Sequence, residues 1–154
     1  SGGLPPVDHE FFLVQSEWYL GEQAGFVSLD KASAAAPAPD YVVWNGNANQ
    51  YKDHPIRVPV GETVRVFVLN AGPSIDSSFH VVGTIFDRAW VNQDMTRFQT
   101  GVQTVEVPAG GGAVFDVKID EPGVYPFVSH SFASVDLGQV GLLKVGNPKG
   151  SAEH

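Results

Sequence analysis

Five histidines and no cysteine frame the chemistry open to this 154-residue chain. Imidazole both ligates metals and titrates near neutrality. The composition excludes disulfides, thiol catalysis and thiolate metal sites. His154 is terminal, and His9 opens an apolar run with no ligand-like neighbours in sequence. His54, in Asp53-His54-Pro55, reads as a turn or capping residue. The informative positions are His80, in Ser77-Ser78-Phe79-His80-Val81-Val82-Gly83, and His130, in Tyr125-Pro126-Phe127-Val128-Ser129-His130. A histidine inside an apolar strand is ordinarily a core residue with a satisfied ring, which is the plain alternative for each. Strands also hold imidazoles rigidly, as metal sites require. One histidine on each of two strands is too few to close such a site, so a further ligand has to come from another chain or domain.

Other constellations are poor. There is no Gly-x-Ser-x-Gly elbow, and neither Gly61 nor Gly110-Gly111-Gly112 follows a strand-to-helix phosphate pattern. Asp53, Glu62, Asp120 and Glu121 fall at turns and read as solvated or capping groups. Asp76 and Asp87 lie nearer His80 and are weak candidates for supporting it.

The elements that must position these histidines read as strands. His9 to Leu20 is an apolar and aromatic run. Residues 31–39 have the propensity to start a helix, but their two prolines favour a surface loop. Further strands are expected at Tyr41–Trp44, Ile56–Val60, Thr63–Asn70, Phe79–Phe86, Gln103–Val107, Val114–Ile119, Val124–Val128 and Val140–Val145. Val64, Val66 and Val68 share one face. Phe115, Val117 and Ile119 face one way, with Asp116 and Lys118 opposite. A short helical turn is expected near Asn92–Phe98. Many short strands with period-2 patterning and Gly/Pro punctuation indicate an all-β Greek-key barrel or sandwich.

Bulk composition agrees. The 17 Gly and 11 Pro exceed the ~12% combined share of ordinary domains, a sign of many turns. The length allows one domain with a sizeable core. A net charge of −8 argues against nucleic acid or anionic membrane as the main partner. No apolar run approaches the ~18–20 residues of a membrane span. The organisation reads as a linker or tag remnant at 1–8, a domain at 9–146 and a flexible tail at 147–154.

From Tyr41 to Val145, about two-thirds of the chain, the sequence resembles the second, C-terminal cupredoxin domain of copper-containing nitrite reductases, within the multicopper oxidase superfamily. The matching blocks are Val43-Trp44-Asn45-Gly46, Val60-Gly61-Glu62-Thr63-Val64-Arg65, Ser78-Phe79-His80-Val81-Val82-Gly83, Gln103-Thr104-Val105-Glu106-Val107-Pro108, and Val128-Ser129-His130 through Gly138 to Gly141. The resemblance implies a homotrimer of two-domain chains in the periplasm or outside the cell. The preceding cupredoxin domain would hold type 1 copper and two histidines of type 2 copper. His130 then corresponds to the third type 2 ligand, shared across subunits. His80 corresponds to a catalytic histidine that relays protons to nitrite. Thr104 corresponds to a residue that holds that imidazole by hydrogen bonding, and Val82 to the aliphatic residue over the open copper position.

With no cysteine, no type 1 copper is expected in this chain, and the isolated domain is expected to be inactive. Two alternatives stand beside this reading. A laccase-like multicopper oxidase would need paired His-x-His motifs where the chain has His80-Val81-Val82 and Val128-Ser129-His130. A non-catalytic cupredoxin-like assembly or binding domain would not need His80, Thr104 and His130 together.

Overall fold

A computed structural model describes residues 3–148. Ten strands form two five-stranded sheets. The first contains β1 (His9–Trp18), β2 (Tyr41–Trp44), β4 (Thr63–Asn70), β6 (Arg88–Val91) and β8 (Gly112–Lys118), in the order β2-β1-β4-β8-β6. The second contains β3 (Ile56–Val58), β5 (Ser77–Val81), β7 (Thr104–Val107), β9 (Gly123–Ser129) and β10 (Val140–Val145), in the order β3-β10-β9-β5-β7. Three single-turn helices sit in the connections: α1 (Leu29–Ala32), α2 (Gln50–Asp53) and α3 (Ala133–Asp136). This is the expected all-β Greek-key cupredoxin-like architecture. Among the described residues no helix is long and apolar enough to cross a membrane.

The core lies between the sheets. Alternation puts Val64, Val66 and Val68 of β4 and Phe115 and Val117 of β8 inward, all buried. Phe79 of β5 meets Phe115 across the sandwich at a centroid separation of 5.0 Å, and Trp44 meets Phe79 edge-on at 5.8 Å. Such aromatic contacts add stabilisation beyond their buried area. Gly141 of β10 pairs with Phe127 of β9. A Cβ there would come within 1.9 Å of the Phe127 ring, so any side chain at that position would displace the ring or shift β10.

The outer face of the first sheet departs from simple alternation. Arg65 and Asp116 point away from the core and are nevertheless buried. They pair directly across β4 and β8 through two hydrogen bonds of 2.7 and 2.8 Å, and Trp90 stacks on the guanidinium. The bidentate geometry satisfies both charges where water is excluded.

Three further local features differ from expectation. Asn92–Phe98 is not helical: Asn92 and Gln93 take positive φ (53° and 60°), which a right-handed helix does not admit. The run Phe79–Phe86 stops as a strand at Val81, because the chain turns through Gly83 at φ +85°. Strand β6 had no sequence signal of its own. Of the expected terminal segments, Ser1, Gly2 and 149–154, including His154, lie outside the described residues.

Candidate functional site

His80 and His130 come together through strand register. His80 pairs with Val128 across β5 and β9, and Phe79 with Ser129. Side chains alternate, so Phe79 enters the core and His80 faces outward. His130 follows β9 by one residue and shares the parity of Val128. Its backbone N–H donates to the Ser78 carbonyl at 2.8 Å, extending the ladder. His130 therefore stands diagonal to His80 on the same outer face. The two ring centroids are 5.1 Å apart with the planes inclined by 41°.

Their environments differ. His80 is only 9% exposed, whereas His130 is exposed. Nδ1 of His80 lies 2.6 Å from the Gln103 carbonyl oxygen. A carbonyl only accepts, so Nδ1 carries the hydrogen and donates it. In the neutral ring, Nε2 is then the free base. This is the arrangement that fixes tautomer and orientation in catalytic and ligating histidines. Gln103 immediately precedes β7, the edge strand of the second sheet. Beside His80 a groove of about 510 Å³ opens to solvent, walled by Gly83, Gln103, Lys118 and Tyr125.

Thr104 stands directly opposite His80 in the β5–β7 register and is exposed; the hydrogen bond found at the His80 ring is with the neighbouring Gln103 carbonyl. Val82 lies one residue past the end of β5, 39% exposed, with its N–H bonded to the Pro126 carbonyl at 2.7 Å. Asp76 and Asp87 accept from the backbone N–H groups of Ala109 and Lys118, which ties them to loop structure. His54 closes α2 and is exposed. His9 does acquire a partner, the carboxylate of Glu62, which the parallel β1–β4 pairing brings alongside. Sequence proximity could not reveal that contact.

Two contributors lacked any sequence signal. The Gln103 carbonyl is backbone and has no residue-type signature. Ser129 faces inward, and its hydroxyl accepts from the N–H groups of Ser78 and Ser131, bracing the turn that carries His130.

Residues 26–148 match the family model for multicopper oxidase. The chain belongs to the multicopper oxidase family. Within it, the chain is 43% identical over 148 residues to a copper-containing nitrite reductase of Neisseria gonorrhoeae, covering 93% of this chain and 38% of that relative. It therefore spans well under half the length of the curated relatives it matches. In three dimensions it is similar to a copper nitrite reductase from Nitrosomonas europaea, with a TM-score of 0.81 at 28% identity over 94% of this chain and 51% of the other. A copper-containing nitrite reductase from Thermus scotoductus gives a TM-score of 0.79 at 27% identity, covering 91% and 31%. This multicopper oxidase chain is thus a nitrite-reductase-like cupredoxin domain.

Among the described residues, no three His, Asp, Glu or Cys side chains are grouped to hold a metal ion. His130 fits as a single exposed imidazole ligand, and the set is incomplete within this chain.

Proposed function

We propose that this domain supplies His130 as one type 2 copper ligand, and His80 as a proton relay, at a subunit interface of a nitrite-reducing copper oxidoreductase. The observation that carries this reading is the pairing of one solvent-facing imidazole with a tautomer-locked one 5.1 Å away. A site with one ligand exposed at the end of a strand suits completion by a neighbour. The remaining ligands and a type 1 copper centre would come from a preceding cupredoxin domain in a homotrimer, working in the periplasm or outside the cell. A second contact surface lies on the outer face of the first sheet, across the sandwich from the histidines. Exposed Phe12 stacks on Phe67 at 4.7 Å beside Leu69 and Met95, in an apolar groove of about 460 Å³.

Nitrite takes up one electron and two protons and gives nitric oxide and water. The copper, when bound, would supply the electron and a Lewis-acidic position for the substrate. The residues of this chain would then manage orientation and protons. His80 holds Nδ1–H on the Gln103 carbonyl and keeps Nε2 available to take a proton from the groove and pass it to a substrate oxygen. Thr104 would flank that ring, and Val82 would present an aliphatic surface over the substrate position.

The test is copper content of the assembled protein. His130→Ala should abolish the type 2 copper signal and leave type 1 copper intact. Retention of type 2 copper would remove His130 from the ligand set.

A further inference from the structure

The ring of His130 lacks the anchor that His80 has. Among the described residues, no side-chain hydrogen bond is formed to it. What meets it are two other rings: His80 on one side, and Phe132 at a centroid separation of 6.3 Å and an interplanar angle of 26°. Phe132 is 63% exposed, so burial in the core does not account for its placement. Its backbone is pinned. Phe132 is the N-cap of α3 with φ −64° and ψ −23°, and its carbonyl accepts from Val135 N–H at 3.0 Å. Ser129, at the other end of the same turn, is buried and hydrogen-bonded to Ser78 and Ser131. The pinned backbone thus carries the phenyl ring beside a solvent-facing imidazole, at a separation where offset-stacked rings attract.

We infer that Phe132 is the positioning residue of His130. Its face limits rotation of the imidazole and holds it in one orientation toward an incoming metal. Ligating histidines usually obtain this from a hydrogen bond on the second ring nitrogen. Here stacking takes that part. The inference rests on the reading of His130 as a ligand, but its first consequence, an ordered ring, belongs to this chain alone.

Two measurements test it. In the chain by itself, the ring protons of His130 should show a ring-current shift in the NMR spectrum. Phe132→Leu and Phe132→Ala should reduce the shift to the part contributed by the His80 ring, and Phe132→Tyr should keep it in full. The amide spectrum of each variant establishes that it is folded. In the copper-loaded assembly, Phe132→Ala should broaden the type 2 electron paramagnetic resonance signal and weaken copper binding by roughly 3–10-fold, less than the ~10–100-fold cost of losing a hydrogen-bonded outer partner. Phe132→Tyr should restore both. Unchanged His130 resonances in folded Phe132→Leu, or a type 2 signal identical in Phe132→Ala and the wild type, would overturn the role. Failure of the ligand reading is a separate result, seen as type 2 copper persisting in His130→Ala, and it would leave the NMR outcome on the isolated chain intact.

Discussion

The Nδ1 atom of His80 and the carbonyl oxygen of Gln103 lie 2.6 Å apart, joining β5 to the chain entering β7 through a side chain. The bond decides which nitrogen of His80 is basic, and it leaves the rest of the ring between His130 and the solvent groove. A proton donor must be oriented before its acidity matters.

Replacement of His80 by Gln should therefore lower nitrite turnover in the assembled protein by about 10²–10⁴-fold, the usual range for loss of a general acid–base group. Copper content, measured by metal analysis, should stay at the wild-type level. Parallel loss of copper would make His80 a ligand and not a relay.

Gly141 should be intolerant of any side chain. A Cβ placed 1.9 Å from the Phe127 ring forces either the ring or β10 to move. Gly141→Ala is expected to cost about 1–3 kcal/mol, the range for overpacking, read as a lower urea midpoint. A wild-type midpoint would mean that Phe127 has free space to move into.

Tyr19 carries an alkaline signature. Burial first, and then its hydrogen bond to Glu17, push the phenol well above its ordinary value of about 10. The folded chain keeps a proton that the unfolded chain has released. Stability is fully present below the ordinary phenol value and declines as the pH rises beyond it. Tyr19→Phe should flatten that decline, while costing about 1 kcal/mol near neutrality because the Glu17 carboxylate loses a donor. Unfolding midpoints followed from about pH 8 to 11 decide it; a variant that falls as steeply as the wild type would assign the slope elsewhere.

The parts of the fold legible in the sequence are those where one face meets the core. The valines of β4 and the Phe115–Val117 alternation of β8 needed only period 2. Arg65 and Asp116 carry the same alternation yet end up buried, because each supplies what the other needs and Trp90 covers the guanidinium. That pairing depends on the β4–β8 register, which local pattern does not contain. The turns at Asn92 and Gln93 are not legible in local pattern, because a positive φ at asparagine or glutamine leaves no periodicity to read. At the site, the imidazoles were visible as residue types, and the matching blocks indicated their companionship. The Gln103 carbonyl had no letter to announce it. Phe132 did, as an aromatic two residues beyond His130 in a turn, a place where a large apolar side chain has no core to enter.

The tether of His80 is attached at the border of its sheet. Among the described residues β7 has β5 on one side and no strand on the other, so its hydrogen bonds can open locally without the rest of the sheet. Each such opening releases the imidazole to swap tautomers while the sandwich behind it stays whole. Local opening at that border costs less free energy than global unfolding, so whatever neighbour seals it would also steady the base.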